Sequence, residues 1–252
     1  MMSIQPVHPC FHRIHSDETP LISDAYYQLK MTISIDRLIT LLSALDQRNL
    51  QIGSTSYVTF DDGWADVRII PEDFFTSHVT LQPVIFLTDE QLFGSRNWMP
   101  LHALYRWMFE NDFSLNDIEK LGINRTYLKN LREDEQYNFL NSKGIQMESN
   151  APYLTSHELH HLVENGWLIG SHGPEHSDLR KIPKDELKVL LQNTLLKLNQ
   201  LNFEPWIAWP EGRWNNQISM IARNIGFTRQ FGLIDEPHPP SSNGTILRKL
   251  WS

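Results

Sequence analysis

Strand-like and helix-like segments alternate along most of this 252-residue chain. The strand-like runs are rich in Val, Ile, Phe and Trp, and the helix-like runs carry apolar residues at helical spacing. The predicted strands are Pro9–Ile14, Ser56–Phe60, Pro83–Leu87, Trp167–Gly170, Trp206–Trp209, Thr228–Leu233 and Thr245–Leu250. The predicted helices between them are Ser34–Asn49, Trp64–His78, Thr155–Gly166, Asp185–Leu201 and Asn216–Ile225. Such alternation favours an α/β fold in which helices flank a parallel sheet or barrel.

Residues 90–153 interrupt this alternation, because the predicted helices there follow one another without a strand. They are Pro100–Asn111, Ser114–Leu121 and Arg125–Phe139. We therefore expect a single domain over residues 1–252 with a helical insertion at 90–153. The insertion either forms a lid or binding element or covers a sheet edge. Its aromatic residues could stack on a ligand or fill its own core; they are Trp98, Tyr105, Trp107 and Phe109.

Composition argues against several classes of function. The net charge is −8 and no basic block occurs, so nucleic acid is not expected as a partner. A single cysteine, Cys10, excludes structural zinc held by thiolates. No apolar run approaches the roughly 20 residues of a membrane helix. Because no secretory signal is recognisable either, a cytoplasmic location is expected, although export is not excluded.

Three groups of polar residues each follow a predicted strand, where a barrel of parallel strands collects its active site. The adjacent carboxylates of Asp61–Gly63 could serve a metal and the water it holds, or form an ordinary polar turn. His172 and His176 could bind one borderline metal such as Zn²⁺. The backbone of Pro210–Gly212 could present N–H groups to an oxyanion, or form a plain Pro-Gly turn.

Another stretch, HELHH at His157–His161, matches the pattern of two ligands and a general base on one helix that is typical of zinc proteases. This stretch lies on a predicted amphipathic helix, whose apolar face comes from Leu159, Leu162 and Val163. We therefore interpret His157 and His160 as solvated helix residues and favour the pair that follows a strand.

Taken in order, TFDDG at 59–63, SHGPEH at 171–176 and WPEG at 209–212 resemble the polysaccharide deacetylases of carbohydrate esterase family 4, the NodB homology domain. The resemblance extends from residue 9 to residue 250 and is interrupted by the insertion. It implies a distorted (β/α) barrel with a helical insertion. It also implies hydrolysis of N-acetyl groups on a carbohydrate substrate with a divalent metal, most often Zn²⁺.

The resemblance further implies roles for individual residues. Asp62, His172 and His176 would bind the metal, and Asp61 would be the general base. The metal and this base form a sound chemical pair, because the metal acidifies water and polarises the amide carbonyl while the carboxylate accepts the proton. Glu211 follows the motif proline, so its backbone N–H would stabilise the oxyanion.

The chain departs from the family pattern at two places that bear on catalysis. Ala208 stands where the family commonly has an arginine paired with the general base, and Arg213 and Arg248 are the candidates to replace that arginine. The last predicted strand lacks the histidine that protonates the leaving amine in the family, which makes His238 the candidate general acid. His12 could point into the mouth of the barrel, although a core position is favoured for it.

The predicted function is therefore removal of N-acetyl groups from an acetamido sugar, either in a polysaccharide or in a lipid- or nucleotide-linked precursor. The alternatives are a deformylase or small-amide hydrolase of the same superfamily, and a catalytically inactive carbohydrate-binding protein. The insertion is expected to determine substrate preference, so that deleting it would spare metal binding.

Overall fold

The computed structural model describes residues 5–16, 26, 29–146, 149–237, 239 and 244–251. Within these ranges the strands are β1 (Pro9–Phe11), β2 (Arg13–His15), β3 (Thr32–Ser34), β4 (Ser56–Asp61), β5 (Leu81–Leu87), β6 (Leu168–Ser171), β7 (Trp206–Ala208), β8 (Arg229–Leu233) and β9 (Thr245–Leu250). The helices are α1 (Ile35–Ile52), α2 (Phe74–Ser77), α3 (Asp89–Leu92), α4 (Pro100–Glu110), α5 (Leu115–Lys120), α6 (Arg125–Leu128), α7 (Glu133–Ser142), α8 (Ser156–Glu164), α9 (Lys184–Gln200) and α10 (Asn216–Ile225). Short 3₁₀ segments lie at Ala65–Ile69, Leu179–Lys181 and Pro210–Gly212.

Seven strands form a closed parallel barrel in the order β1, β4, β5, β6, β7, β8, β9. Pairing of β9 with β1 closes it, with Cys10 opposite Leu250. Alternate residues of β5 enter different apolar clusters, Ile85 the main core and Phe86 a smaller cluster with Phe231. Both faces of the strands are therefore covered, as parallel sheets require. The predicted α/β barrel is confirmed.

The barrel brings the carboxyl ends of its strands to one rim. Asp61 ends β4, Ser171 ends β6 and Ala208 ends β7. The polar residues of the three sequence motifs lie at or shortly after these strand ends, so the fold alone places them at the same rim.

The helices that cover the barrel follow the expected amphipathic pattern. In α1, Leu38, Leu42 and Leu45 are buried, and the Ser34 hydroxyl accepts the backbone N–H of Arg37 at the N-terminus. Among the described helices, none has the length and apolar character needed to cross a membrane.

The first predicted strand, Pro9–Ile14, is two strands in the structure, and this prediction was wrong in detail. His12 separates β1 from β2, and β2 leaves the barrel to pair in parallel with β3, which the sequence analysis missed. Arg13 anchors β2 because its guanidinium donates to the Asp66 carboxylate at 2.6 Å and lies over the Trp64 ring. The break leaves His12 at the barrel rim.

The predicted helix Trp64–His78 was also wrong. The chain forms the 3₁₀ segment Ala65–Ile69, continues in extended conformation at Ile70 and resumes as the single turn α2. Pro71 explains the interruption, because proline disfavours helical geometry in the residue before it.

Between β5 and β6 the described residues form helices α3 to α8 and no barrel strand. The predicted helix Arg125–Phe139 is divided into α6 and α7. Within the span predicted as an insertion, α4 to α7 pack around a second apolar cluster that includes Leu104, Ile118, Leu128 and Leu140 and to which Trp64 after β4 also contributes. A helical element packed around this cluster therefore lies beside the barrel, and its description as an insertion in a single domain stays a prediction.

Candidate metal centre and active site

The turn after β4 presents two adjacent carboxylates, Asp61 and Asp62, to one cleft. Asp62 and Gly63 adopt φ values of 71° and 65°. A Cβ added at Gly63 would lie 2.4 Å from Leu87 Cδ2, so both space and backbone conformation require glycine. The side-chain amide of Gln91 donates to the Asp62 carbonyl at 2.7 Å and fixes the turn further.

The second carboxylate and the two motif imidazoles meet at the barrel rim. Asp62 Oδ1 lies 3.3 Å from His176 Nε2 and 3.6 Å from His172 Nε2. One ligand atom from each of the three residues lies within 4.8 Å of the others. The structure thus brings together the three residues named as ligands from the sequence.

Two observations show that this cluster fits a metal ion. Asp62 Oδ1 is buried and has no hydrogen-bond partner among the described residues, which is unfavourable unless a cation or proton donor occupies the space. His172 Nδ1–H donates to the Ala208 carbonyl at 2.9 Å, so the lone pair of His172 lies on Nε2, toward Asp62. Burial also lowers the pKa of His172, which favours the neutral imidazole that a metal requires.

The first carboxylate is held by an arginine from the far end of the chain. Arg248 Nη1, on β9, donates to Asp61 Oδ1 at 2.5 Å and to Thr59 Oγ1 at 3.1 Å. Of the two arginines proposed to replace the missing one at Ala208, Arg248 takes this position, whereas Arg213 lies 3.9 Å from the Glu236 carboxylate.

The environment keeps Asp61 ionised. Burial by itself would raise the pKa of Asp61, but the Arg248 guanidinium, followed by His172, lowers it below its usual range. Asp61 Oδ2 lies 3.8 Å from His172 Nε2, so this second oxygen faces the metal cluster while the first is bound to arginine.

The second oxygen of Asp62, Oδ2, contacts hydrogen-bonded side chains that belong to none of the three motifs. The Tyr26 hydroxyl lies 3.2 Å from Asp62 Oδ2 and His102 Nε2 lies 3.3 Å from it. Tyr26 also contacts His102 Nε2, and the Tyr153 hydroxyl lies 2.6 Å from His102 Nδ1. Sequence analysis missed all three residues, since none belongs to a motif.

Glu211 lies in the 3₁₀ segment after β7 with a φ of 54°, and its side chain forms an ion pair with Lys129 of the helical element. Burial alone would raise the pKa of Glu211, but Lys129, and then His176, lower it to about 2. The side chain is thus committed to this ion pair, which leaves the backbone N–H as the group that could act on a substrate.

The cleft at the rim has a volume of about 240 Å³ and is lined by Asp61, Asp62, His172, His176 and Glu211 together with residues of the helical element. His12 also lines it, and its Nδ1 atom is buried without a hydrogen-bond partner in the described part of the chain. The expectation of a satisfied core histidine was therefore wrong. His238, the predicted general acid, lies outside the described residues.

A family model described as polysaccharide deacetylase matches residues 122–229. The matched span contains His172, His176 and Glu211, and the fold brings the preceding Asp61 and Asp62 to the same cleft. The resemblance to the polysaccharide deacetylases is confirmed.

Solved deacetylase structures share the architecture. The deacetylase PplD of Streptococcus pyogenes in complex with acetate is 13% identical, with a TM-score of 0.57 over 97% of this chain and 92% of that one. A de-N-acetylase from Aggregatibacter actinomycetemcomitans is 14% identical, with a TM-score of 0.56 over 96% and 94% of the two chains. IcaB from Ammonifex degensii is 14% identical, with a TM-score of 0.54 over 98% and 94%. At these identities the likeness shows the fold, and it confirms the NodB-type barrel. No curated protein sequence matched the chain.

Outside the cleft at the rim, the HELHH stretch lies on the amphipathic helix α8, as predicted, with Leu159 and Leu162 buried. His157 and His161 line a groove of about 370 Å³ between α8 and the segment after β4, where His161 Nε2 lies 3.8 Å from the Glu72 carboxylate. This groove is larger than the cleft at the rim. Among the described residues, however, the group of three side chains close enough to share a metal ion is Asp62 with His172 and His176, in the cleft.

The four aromatic residues for which stacking on a ligand and filling the core were both considered have different environments. Tyr105 lines the cleft at the rim and accepts a hydrogen bond from Arg125 Nε at 2.6 Å. Trp98 and Trp107 pack against the core of the helical element instead, and Phe109 is exposed on its surface.

Proposed function

We propose that this protein is a metal-dependent hydrolase that removes the N-acetyl group of an acetamido sugar. The observation that carries the proposal is the arrangement around Asp61 and Asp62. One carboxylate faces two imidazoles with an unpartnered buried oxygen, and its neighbour in sequence is held ionised by Arg248 in the same cleft. The family match supports deacetylation as the reaction.

Two imidazole nitrogens and one carboxylate oxygen, from His172, His176 and Asp62, form a donor set that suits Zn²⁺ and leaves further positions open. When bound there, a divalent cation would acidify a water molecule and polarise the amide carbonyl. The chain's own residues then have to orient the substrate and move two protons.

Asp61 is the group that takes the first proton. Its Oδ2 is the oxygen turned toward the imidazoles, while Oδ1 is bound to Arg248. As the water oxygen bonds to the amide carbon, the water proton passes to this carboxylate, and negative charge develops on the carbonyl oxygen. We assign stabilisation of this oxyanion to the backbone N–H of Glu211.

Cleavage of the carbon–nitrogen bond requires a proton on the leaving amine, and we assign its delivery to His12. This imidazole lines the cleft and its buried Nδ1 is unpartnered in the described part of the chain. A histidine can exchange a proton near neutral pH, which suits a general acid. The products are acetate and the free amino sugar.

Metal analysis and acetate release test the proposal. Purified protein should contain or bind one equivalent of Zn²⁺ and release acetate from chitooligosaccharides or from an acetamido-sugar nucleotide. The Asp61→Asn variant should keep the metal and lose about 10²–10⁴-fold in turnover. His172→Ala should lose both. Asp134→Asn and His160→Ala change the same residue types at exposed helix positions and serve as matched controls.

Two outcomes would replace the proposal by its alternatives. Turnover of formamides or small amides without turnover of acetamido sugars would indicate a small-amide hydrolase. Sugar binding without acetate release, unaffected by Asp61→Asn, would indicate an inactive binding protein.

A further inference from the structure

The helical element and the segments on either side of it in the fold supply hydrogen-bonding groups to Asp62, a carboxylate that the proposed function uses as a metal ligand. His102 lies on α4, Tyr153 precedes α8, and Tyr26 lies between β2 and β3. All three side chains are buried, and together they form a continuous path from Met99 to Asp62 Oδ2. None of them belongs to the barrel strands.

The direction of these hydrogen bonds can be assigned by counting donors. The backbone N–H of Met99 donates to the Tyr153 oxygen at 3.2 Å, so the Tyr153 O–H is free to donate to His102 Nδ1 at 2.6 Å. The His102 proton then lies on Nε2, facing Tyr26 and Asp62. In turn, the Tyr26 O–H donates to Asp62 Oδ2 at 3.2 Å.

The opposite tautomer is less favourable. With the His102 proton on Nδ1, the Tyr153 O–H would lose its acceptor. The Nε2 lone pair would face the carboxylate at 3.3 Å and would accept the Tyr26 proton only at the expense of Asp62 Oδ2. The assigned arrangement instead gives each hydroxyl a partner and directs donors toward Asp62 Oδ2. A connected, satisfied network of this kind is rigid in a buried environment.

The surroundings hold His102 in this orientation. Its ring lies over Trp64 with 4.6 Å between centroids, and it packs against Tyr26 edge to face. The side chain is 1% exposed, so neither ring nitrogen has water as an alternative partner.

We propose that His102, Tyr26 and Tyr153 are positioning residues for the metal centre, and that the helical element, through His102, supports the metal site as well as lining the cleft. The inference rests on the metal binding stated in the proposed function. By occupying Oδ2, the network leaves Oδ1 to face His172 and His176. Groups that orient a ligand in this way typically contribute about 10–100-fold to metal affinity.

This proposal differs from the expectation that deleting the insertion would spare metal binding, and single substitutions can test it. Tyr26→Phe removes a single oxygen and is the least disruptive probe, and His102→Leu removes both nitrogens. His102→Gln keeps a side-chain N–H donor and should rescue part of the loss. Tyr137→Phe is the matched control, because its hydroxyl contacts the Trp98 carbonyl at 3.5 Å, away from Asp62.

Zn²⁺ affinity of each metal-free protein, measured by competition with a chromophoric chelator, should fall about 10–100-fold in Tyr26→Phe and His102→Leu. It should fall less in His102→Gln and not at all in Tyr137→Phe. The visible spectrum of the Co²⁺-loaded protein should change in Tyr26→Phe even at saturation, because the geometry of Asp62 changes. A purely structural role would lower the unfolding midpoint of the metal-free protein without altering that spectrum.

Affinity and Co²⁺ spectrum equal to those of the unaltered chain, in both Tyr26→Phe and His102→Leu, would overturn the inference and leave the proposed function intact. Failure of the unaltered chain to bind Zn²⁺ would refute the metal centre itself, and with it this role of the network. The two failures are therefore distinguishable in a single titration series.

Discussion

Replacing Arg248 by methionine tests whether the last strand of the barrel holds the proposed general base. The Arg248 side chain is 0% exposed and its Nη1 lies 2.5 Å from Asp61 Oδ1. At an effective dielectric constant of about 20, the Coulomb attraction at this separation is about 7 kcal/mol before desolvation is subtracted. Methionine fills a similar volume but leaves the Asp61 carboxylate buried without its cation.

Removing one partner of a buried ion pair typically destabilises a protein by about 3–5 kcal/mol. In a chain of 252 residues, each kcal/mol corresponds to roughly 2–4 °C in melting temperature, so Arg248→Met should melt about 6–20 °C lower. Arg248→Lys keeps the charge, so its melting temperature should fall less. In the double variant Asp61→Asn/Arg248→Met, the loss of unfolding free energy should be smaller than the sum of the losses in the two single variants, since no uncompensated charge remains.

The pH dependence follows from the sign of the pKa shift. The folded-state pKa of Asp61 lies below its ordinary value, so its stabilising contribution is present above about pH 4 and is lost as the pH falls through the folded-state pKa. In Arg248→Met, burial is no longer offset by the arginine, and the pKa of Asp61 should rise. The stability difference between the two proteins should therefore be largest near neutral pH and shrink in acid.

Urea unfolding between pH 4 and pH 8 and the pH profile of acetate release measure both effects. The acid limb of the activity profile should move to higher pH in Arg248→Met, because a base with a raised pKa is protonated sooner. A loss of less than about 1 kcal/mol that does not vary with pH would refute the reasoning.

Two further changes probe the turn and the ion pair at the cleft. Gly63→Ala should destabilise the protein by about 2–5 kcal/mol in urea unfolding, because positive φ and the contact with Leu87 both oppose a Cβ. Gly53 shares the positive φ but has open space around it, so Gly53→Ala should lower the free energy of unfolding by only about 1–2 kcal/mol. Equal losses in the two variants would contradict the steric argument. Lys129→Met should raise the pKa of Glu211 from about 2, so stability that Glu211 now contributes above about pH 4 should be lost at neutral pH. Exposed Lys120→Met is the control, and parallel stability curves against pH for the two variants would count against the assignment.

Much of the barrel could be predicted because parallel strands and amphipathic helices carry strong local patterns. The bounds of β9 and α10 were predicted residue for residue, and α1 and α9 within a few residues. The same reasoning placed Asp62, His172 and His176 after the carboxyl ends of two strands, and the structure brings them together at the rim. Local pattern failed where one residue changed the backbone, as Pro71 did in the predicted helix Trp64–His78.

The supporting residues of the site could be predicted only in part. Arg248 was one of two candidate partners for Asp61, and the register of β9 decides between them. Nothing in the sequence indicates Tyr26 or His102, which lie 36 and 40 positions from Asp62. Their contact with Asp62 depends on how the segment between β2 and β3 and helix α4 pack against the rim. A sequence motif identifies the residues that take part in the reaction, whereas the residues that orient them come together only through contacts across the whole fold.

Adjacent carboxylates in the turn after β4 are held by two different parts of the chain. Asp62 contacts His102 of the helical element. Asp61 forms an ion pair with Arg248 of β9, the strand that pairs with β1 to close the barrel. During synthesis on the ribosome, β9 emerges after every other barrel strand. A nascent chain could therefore assemble the ligands first, yet it would gain a charge-compensated base only when the barrel closes. Completion of the fold and onset of hydrolysis would then coincide in one event.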